Sequence, residues 1–499
     1  MFKCKQLLRR ICVVSYVFLL CGGLVNASNL VSKTNTLIGT QGNGWASGYL
    51  YPGATYPFGM VQFTPTYFTK QLGFVINQLS GAGCDHMGNF PTLPIAGALR
   101  VSPDSILNMQ TPVGKEIGTA GYYAATVDHS IRAELTVTER TGMARYTFSS
   151  KEKQGTVIIG GGVAATSIQV AAIKITGPHS CEGYAEGGAF CGIPTPYKVY
   201  FVAEFDADAE SFGTWKEERL HANHTFAEGS HSGVYFTFPL KEGNQAVQYK
   251  IGVSYVSVEN ARENLRVENP AWDFSAVRQA TQDKWNEYLG KIEVEGDNED
   301  RQMQFYTHLY RSLIHPNVCS DVNGEYMGAD SQVHKIARKF YTSFSNWDTY
   351  RTQTALIAML APEETSDIVM SHYLFAEQSG GGFPRWVLAN IETGVMQGDP
   401  TPILVANAYA FGARNYDPRT LLRTMRYGAE VPGANSQGVL TRPGLEQYLE
   451  KGYYDASILL EYTSSDFAIG RFALQACNDE PVCNWYTQRA MNWKNLFNK

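Results

Sequence analysis

The sequence lacks an excess of basic residues and lacks cysteine pairs with metal-binding spacing. Its 499 residues include 41 Lys and Arg against 47 Asp and Glu, so the formal net charge is −6. This acidic balance disfavours nucleic-acid binding, which requires a basic surface. None of the nine cysteines forms a C-x-x-C pair, so a cysteine zinc site and a thioredoxin-type redox centre have no support.

Several standard catalytic signatures and repeats are also missing. The sequence has no Walker A loop, no H-E-x-x-H helix and no G-x-S-x-G nucleophile elbow. No short repeat of fixed period is visible, which weighs against a solenoid. The segment Asp-Val-Asn-Gly-Glu at 321–325 is similar to a calcium loop, but its glycine is misplaced for an EF-hand. An Asn-Gly hairpin turn is the preferred interpretation.

The N-terminus has the three-part pattern of a secretory signal peptide. Residues 1–10 carry four basic side chains and no acid, residues 11–20 form a short apolar run, and residues 25–27 are Val-Asn-Ala. This pattern predicts a signal peptide at 1–27 and a mature chain in a secreted or periplasmic location. A membrane anchor is the alternative, although the apolar run is short for one. Removal of the signal changes the net charge to −10 and leaves no transmembrane segment.

The remaining cysteines include two close pairs, Cys181 with Cys191 and Cys477 with Cys483. Each pair lies in loop-like sequence and is able to close a small disulfide loop in an oxidising compartment. Free, buried thiols are the alternative for both pairs.

Residues 28–268 are predicted to form an N-terminal β-sandwich domain. Short runs rich in β-branched and aromatic residues, punctuated by glycine-containing turns, occur at 135–141, 156–159, 198–205, 234–238 and 247–258. Many short strands with such punctuation are typical of a sandwich.

The pattern changes near residue 260 from strand to helix. Residues 269–299 are predicted to be a helical linker, because apolar residues recur at helical spacing and Asp273 or Ser275 is placed to cap. Helices are then predicted at 302–314, 346–359, 363–377, 401–414, 418–428, 465–476 and 482–498. Alternating helices without intervening strands indicate an array of helix pairs across 300–499.

Five segments combine glycine, proline, aromatic and acidic residues in an unusual way. They are Pro-Gly-Ala-x-x-Pro-Phe-Gly-Met-Val-Gln at 52–62, Ser-Gly-x-Gly-Cys-Asp at 80–85, Trp-Asp-Thr-x-Arg at 347–351, Glu-Thr at 392–393 and Gly-Asp-Pro at 398–400. In this order and spacing they resemble glycoside hydrolase family 92, the calcium-dependent, inverting exo-α-mannosidases. The resemblance extends from about residue 37 to the C-terminus.

The resemblance implies a fold and a type of site. The fold is an N-terminal β-sandwich, a helical linker and an (α/α)6 toroid, here incomplete because about 200 residues follow the linker. The implied site lies between the two domains, where Ca²⁺ is expected to bind the O2 and O3 hydroxyls of mannose. The implied partners are mannose-containing glycans or glycoproteins.

The resemblance also implies substrate-binding residues, namely Trp45, Asp85, Trp347, Asp348, Arg351, Glu392 and Asp399. Asp348 is expected to bind mannose hydroxyls, with Trp347 as a pocket wall and Arg351 as the group that orients the carboxylate. A helix cap for Asp348 and a surface ion pair for Arg351 are the alternatives.

The other candidates have similar alternatives. Glu392 and Asp399 line the pocket or support the metal, or they cap local structure. Trp45 is a stacking platform or a core residue, and Asp85 reaches across the domain interface. The chain departs from the commoner family pattern near this last position, with Gln78 before the Ser-Gly segment and His86 directly after Asp85. No metal ligand is assigned.

The family's general acid and general base are not found in this sequence. Both are expected beyond Lys499, so the chain is predicted to be a truncated or a split gene product without hydrolytic activity of its own. In the second of these alternatives, a separate chain carries the missing half of the toroid. Two alternatives remain: a non-catalytic protein that binds mannose or glycans, and an amidase that removes N-glycans from glycoproteins.

Overall fold

The computed structural model describes residues 29–41, 49–65, 73–104, 113–242 and 245–497. The first part of the chain contains the strands β1 (Ala54–Thr55), β2 (Gln62–Pro65), β3 (Phe74–Val75), β4 (Thr92–Ala96), β5 (Val113–Thr119), β6 (Tyr122–Val127), β7 (Ile131–Val137), β8 (Thr141–Thr147), β9 (Gln154–Ile159), β10 (Ile168–Gly177), β11 (Ser180–Phe190), β12 (Ile193–Phe205), β13 (Ser211–Lys216), β14 (Arg219–Ala222), β15 (Phe226–Glu228), β16 (Ser232–Pro239) and β17 (Ala246–Ser254).

Helices dominate the second part. They are α1 (Val258–Glu268), α2 (Phe274–Leu289), α3 (Glu299–Ser312), α4 (Asn346–Thr349), α5 (Gln353–Leu360), α6 (Pro362–Ser379), α7 (Thr401–Ala410), α8 (Pro418–Glu430), α9 (Leu445–Lys451), α10 (Ala456–Cys477) and α11 (Glu480–Ala490), with 3₁₀ turns at Leu30–Lys33 and Met491–Leu496. Short strands lie between them: β18 (Asn317–Val318), β19 (Glu325–Met327), β20 (Val333–Lys335), β21 (Tyr341–Thr342), β22 (Phe344–Ser345), β23 (Trp386–Leu388), β24 (Ile391–Glu392), β25 (Asn435–Ser436) and β26 (Val439–Leu440).

The strands β1 to β17 form two antiparallel sheets within the described residues. One has the order β1-β2-β3-β4-β9-β16-β13-β14 and the other β15-β10-β11-β12-β17-β8-β7-β6-β5. Along β11, fully buried residues alternate with half-buried ones, as expected for a strand with one face on a core.

Aromatic side chains from the two sheets meet in a shared core. The ring of Phe205 on β12 lies 5.0 Å from that of Phe236 on β16, and Phe74 on β3 stacks on Tyr146 of β8 at 6.3 Å. Each fully buried ring of this kind stabilises the fold by about 1.5–3 kcal/mol. The two sheets therefore form the predicted β-sandwich.

Helix α1 covers the outer face of the larger sheet. Ala261 and Leu265 pack on Val202 of β12. The approach to β17 is close, because a Cβ added at Gly252 would lie 2.3 Å from the carbonyl oxygen of Ala261. Glycine is therefore required at this strand position.

Helix α2 is the predicted linker, and Asp273 caps it by accepting a hydrogen bond from the Ala276 N–H at 2.9 Å. Its buried Trp285 donates from Nε1 to the carbonyl oxygen of Thr55 at 2.7 Å and packs on Tyr310 of α3 at 4.7 Å. One indole thus joins the sandwich, the linker and the helical region.

The helical region has its own core, formed by α6, α7, α8, α10 and α11. Asp417 caps α8 and Pro418 begins it, and the helix then buries Leu421, Met425 and Ala429 at helical spacing. The predicted succession of a sandwich and a helical region is confirmed, whereas the toroid and the domain limits at 268 and 299 stay predictions. No helix in the described ranges is long and apolar enough to cross a membrane.

Three local predictions were wrong. The strand predicted at 135–141 is the end of β7 and the turn to β8, closed by a hydrogen bond from the Thr138 N–H to the Thr141 carbonyl. The helix predicted at 346–359 breaks into α4 and α5 around Thr352, whose backbone is not helical. Short strands also interrupt the helical region, contrary to the prediction of helices alone.

The Asn-Gly segment forms a tight turn that is closed from both sides. Gly324 N–H donates to the Asp321 carbonyl at 2.9 Å, with φ of 85° at the glycine, and Asp321 N–H donates to the Glu325 carbonyl at 2.8 Å. These bonds are those of the predicted hairpin turn, although the strands beyond it, β18 and β19, pair with β21 and β20. The Asp321 carboxylate is buried and accepts bonds from Asn260 and Asn264 of α1, so it fixes the helical region to α1.

The predicted cysteine pairs do not form. Among the cysteines that the structure describes, a disulfide joins Cys84 to Cys191, and Cys181, Cys319, Cys477 and Cys483 are free thiols. Cys181 and Cys191 lie at opposite ends of the extended strand β11, whose rise of about 3.3 Å per residue keeps them far apart. The alternative of free thiols therefore holds for Cys477 and Cys483.

Candidate functional site at the domain interface

A cavity of about 670 Å³ lies between the sandwich and the helical region. Residues 79–84 and the tip of the β11–β12 hairpin form one side, and α3, α4 and the following segments form the other. Its described lining includes Ser80, Cys84, Phe190, Arg311, Ser312, His315, Ser343, Ser345, Asp348, Gln353, Trp386 and Met396. Its volume and its mix of polar and aromatic groups suit a small polar ligand.

Backbone hydrogen bonds fix the side of the cavity that the sandwich contributes. Three consecutive N–H groups donate to fixed acceptors: Leu79 to Nε2 of His86 at 2.8 Å, Ser80 to Nε2 of His315 at 2.9 Å, and Gly81 to the carbonyl oxygen of Tyr49 at 2.9 Å. Burial lowers the pKa of both imidazoles to about 4, so both rings are neutral at pH 7.

The disulfide and an aromatic stack close this side. Cys84 ends the wall, and its bond to Cys191 connects the wall to the tip of the β11–β12 hairpin. The neighbouring Phe190 stacks on Trp386 of β23, with ring centroids 4.1 Å apart. Both rings line the cavity, so the stack gives it an apolar surface that comes from both domains.

Asp348 is the acidic residue in the described lining of the cavity. It lies in the first turn of α4, is exposed, and accepts a hydrogen bond from the Ser345 hydroxyl. The carboxylate thus has lone pairs available for a ligand's hydroxyl groups.

Trp347 and Arg351 lie beside Asp348 but not in the described lining. Arg351 stacks over the Trp347 ring at 4.3 Å, and Trp347 Nε1 donates to Oε1 of Glu461 at 3.0 Å. Arg351 Nη2 lies 3.9 Å from the same oxygen. Glu461 belongs to none of the sequence motifs, and α10 brings it to α4 across 114 residues of sequence.

Glu392 is buried in a ring of backbone donors. Its carboxylate accepts the N–H groups of Arg385 at 2.6 Å, Trp386 at 3.2 Å and Gly394 at 2.9 Å. Burial raises its pKa. These bonds shape the segment that carries Trp386, which corresponds to the alternative of local capping.

Asp399 belongs to a buried ion-pair network. It accepts a bond from Arg442 Nε at 2.9 Å, and Arg442 Nη1 also binds Asp466 at 2.7 Å. Asp466 in turn accepts from Arg489 Nη2 at 2.5 Å. Burial raises the pKa of Asp399, whereas Arg442 and Arg489 hold that of Asp466 below its usual range.

Gly398 directly precedes Asp399, and its lack of a side chain allows α10 to pack closely against this segment. Its φ is 80°, and a Cβ there would lie 2.6 Å from the Cβ of Glu461. The Gly-Asp-Pro motif is therefore explained by packing around the site.

The structure does not place two of the predicted residues at the cavity. Asp85 is exposed and is not part of the described lining, because the chain turns away from the cavity after Cys84. Trp45 lies outside the described residues.

Residues from α3 were also missed. Arg311 lines the cavity and donates to the carbonyl oxygens of Tyr51 at 2.8 Å and Thr36 at 2.6 Å. His315 follows three residues after α3 ends. The sequence signal for both was weak, since each is a lone basic residue at the end of an amphipathic helix.

The residues present do not fit a calcium site on their own. Within the described ranges, no three His, Cys, Asp or Glu side chains come close enough to hold a metal ion. Calcium takes about six to eight oxygen ligands, commonly including several carboxylates, and the described lining of the cavity has Asp348 alone. No chemical step is therefore assigned to the ion.

Family comparisons agree with this architecture. The glycosyl hydrolase family 92 N-terminal domain matches residues 34–254, and the family's catalytic domain matches residues 260–499. Two sheets and a helical region around an interface cavity define a two-domain glycoside hydrolase. The chain belongs to glycosyl hydrolase family 92.

Solved structures share this fold. A family 92 α-mannosidase from Bacteroides thetaiotaomicron has a TM-score of 0.85 and 24% identity, over 94% of this chain and 66% of that one. An inverting mannosidase of the same family from B. thetaiotaomicron has a TM-score of 0.84 and 25% identity, over 94% of this chain and 65% of that one.

A secreted glycosidase of uncharacterised activity from Arthroderma benhamiae is 25% identical, over 94% of this chain and 62% of its own length. The chain therefore spans less than two thirds of the length of these relatives.

Proposed function

We propose that the interface cavity is the mannose-binding site of an exo-acting, inverting α-mannosidase-type glycoside hydrolase. The observation that carries the proposal is Asp348, an exposed carboxylate at the end of a cavity built by both domains of a family 92 chain. Mannose-containing glycans or glycoproteins are the proposed ligands, and the mannosidase fold neighbours support this class of sugar.

The cavity offers complementary chemistry to one sugar ring. The Asp348 carboxylate accepts hydrogen bonds from hydroxyl groups, and the hydroxyls of Ser80 and Ser343 add further polar contacts. Phe190 and Trp386 stack on each other and are only 3% and 4% exposed, so they contribute ring edges to an apolar wall and not an open stacking face. Convergent polar groups on an apolar wall are typical of small-ligand sites.

The remaining predicted residues have supporting roles in this proposal. Trp347 and Arg351 fix α4, which carries Asp348, and Glu392 and Asp399 shape the segments behind it. Asp85 is a proposed contact for sugar units outside the cavity, and Trp45 stays a proposed stacking platform.

We further propose that this 499-residue chain binds mannosides without hydrolysing them. Inverting hydrolysis requires two carboxylates about 6.5–9.5 Å apart on either side of the scissile bond. The described lining of the cavity has one. Incubation of the purified chain with α-1,2-mannobiose is expected to release no mannose, and release above a buffer control would overturn this part.

Binding is tested by calorimetry with mannose. Asp348→Asn removes the negative charge of the carboxylate. Mannose affinity is expected to fall about tenfold to a hundredfold, because a charge-assisted hydrogen bond is lost. The matched control is Asp128→Asn, which removes an exposed charge in the β6–β7 turn, where φ of 47° suits asparagine. Equal affinity of both variants, or no heat for the unaltered chain at millimolar mannose, would contradict the proposal.

Calcium dependence stays a prediction of the family resemblance. It is tested in the same titrations by adding a chelator and then excess calcium. Loss of heat with chelator and recovery with calcium is expected, and identical heats in both conditions would contradict it.

The chain is proposed to be exported, in agreement with the secreted description of the A. benhamiae relative. The predicted signal peptide at 1–27 lies outside the described residues. Family membership leaves the amidase alternative without support, and the comparisons give none for a separate chain that completes the toroid. The non-catalytic binding alternative is the one that the mannobiose and calorimetry experiments separate from the enzyme.

A further inference from the structure

The wall of the cavity at residues 79–84 is fixed at its ends by the packing of Leu79 in the sandwich core and by the Cys84–Cys191 disulfide. Between these ends Gly81 and Gly83 are exposed, and a Cβ added at Gly81 would meet nothing within 4 Å. The backbone bonds of Leu79 and Ser80 to two imidazoles therefore add fixed contacts where side-chain packing is sparse.

The hydrogen-bond network assigns the proton on each ring. Nδ1 of His86 lies 2.6 Å from the Cys84 carbonyl oxygen, so it carries the proton and donates. Nδ1 of His315 lies 2.7 Å from Oδ1 of Asn317. The Asn317 amide nitrogen donates to the carbonyl oxygens of Gly59 and Ile314, which orients Oδ1 as an acceptor.

In both rings Nε2 is therefore the acceptor of a backbone N–H. Protonation of Nε2 would place two donors against each other, because an imidazolium has no acceptor nitrogen. The hydrogen bond would be lost and replaced by repulsion.

The surroundings of these rings do not stabilise a positive charge. His315 faces Arg311 of α3, the ring of Tyr51 edge-on at 6.5 Å, and His86. His86 packs against Phe190 at 6.1 Å. Arg311 and His86 both disfavour a charge on His315, and burial lowers the pKa of both rings to about 4.

We propose that His86 and His315 are positioning residues that make ligand binding in the interface cavity depend on pH. As neutral rings they hold the wall at 79–84 in place, and when protonated they release it. The Cys84–Cys191 disulfide keeps the end of the wall attached, so the release is local. The inference deepens the proposed function and rests on it for the nature of the ligand.

The first experiment measures amide hydrogen exchange of residues 79–84 by mass spectrometry on the full chain at pH 7. His315→Ala is expected to increase the amide exchange rate in this segment about tenfold, because one hydrogen bond that holds the segment closed is lost. His315→Gln keeps an acceptor oxygen and is expected to retain the slow exchange. His372→Gln is the control, since His372 is a buried imidazole away from the cavity that bonds Asn346 and the Ile368 carbonyl instead.

The second experiment follows mannose affinity by calorimetry from pH 7 to pH 3.5, because the folded-state rings, with pKa values of about 4, take up protons mainly below pH 5. The unaltered chain is expected to lose affinity as the pH falls through this range, whereas the double variant His86→Gln/His315→Gln is expected to lose clearly less. Unchanged exchange in a folded His315→Ala chain, or the same pH profile in the double variant, would overturn the inference. Faster exchange in His315→Ala, together with no heat from the unaltered chain, would support the positioning role and overturn the proposed function.

Discussion

The backbone N–H of Ser80 donates to Nε2 of His315 at 2.9 Å, and this bond joins the sandwich to the helical region at the wall of the cavity. The two residues are 235 positions apart in the sequence. A domain interface that is fixed by such a contact gives the cavity a defined shape before any ligand binds. Preformed shape reduces the entropy cost of binding.

Asp466 is predicted to be essential for the stability of the helical region. Asp466→Asn leaves Arg442 and Arg489 buried with less compensating charge, and the free energy of unfolding is expected to fall by about 3–5 kcal/mol. Urea denaturation followed by circular dichroism measures this change. Glu480→Gln, an exposed acid in the first turn of α11, is the control, with an expected change within about 0.5 kcal/mol.

The free energy of unfolding is predicted to fall between pH 6.5 and pH 5. His86, His315 and His372 have folded-state pKa values of about 4, against about 6.5 for an unfolded histidine. Below pH 6.5 the unfolded chain binds more protons than the folded chain, so acid favours unfolding.

Carboxyls with raised pKa values, such as Glu392 and Asp399, act in the opposite direction. Comparison with a histidine variant therefore separates the contribution of the imidazoles from that of the carboxyls. Thermal melting at half-unit steps checks the slope, and His372→Gln is expected to flatten it. An unchanged melting temperature across this window would contradict the neutral assignment.

The disulfide is predicted to be the one between Cys84 and Cys191. Peptide mapping without reduction is expected to yield a cross-linked peptide that contains these two cysteines. After unfolding without reduction, Cys477 and Cys483 are expected to react with an alkylating reagent. A Cys477–Cys483 cross-link would contradict the assigned pairing.

Loss of this bond is predicted to cost stability. Cys84→Ser removes a cross-link that closes a loop of 107 residues, and the free energy of unfolding is expected to fall by about 2–5 kcal/mol. Cys477→Ser changes a partly exposed free thiol and is expected to have a small effect. Similar unfolding midpoints for the two variants in urea would show that the bond adds no stability.

Local patterns were sufficient for the elements but not for their contacts. The cap of Asp273 on α2, the strand within 247–258 and the helical start at Asn346 follow from residues close in sequence, and each was predicted. The five motifs also located Asp348, which the structure places at the cavity.

The missing parts of the site are contacts between distant residues. Glu461 meets Trp347 across 114 residues, and Cys84 meets Cys191 across 107. Periodicity reports which face of an element is apolar, but it carries no information on which distant element covers that face. The same limit explains why Glu392 and Asp399 looked like ligands, since burial by distant segments gives them structural partners.

The central claim is that the interface cavity binds mannose, and a crystal of this chain soaked in mannose tests it most directly. The account predicts density for one sugar ring between the wall at 79–84 and Asp348, with a hydroxyl group within hydrogen-bonding distance of the carboxylate. An empty cavity at saturating mannose, or a ring bound only elsewhere on the surface, would contradict it.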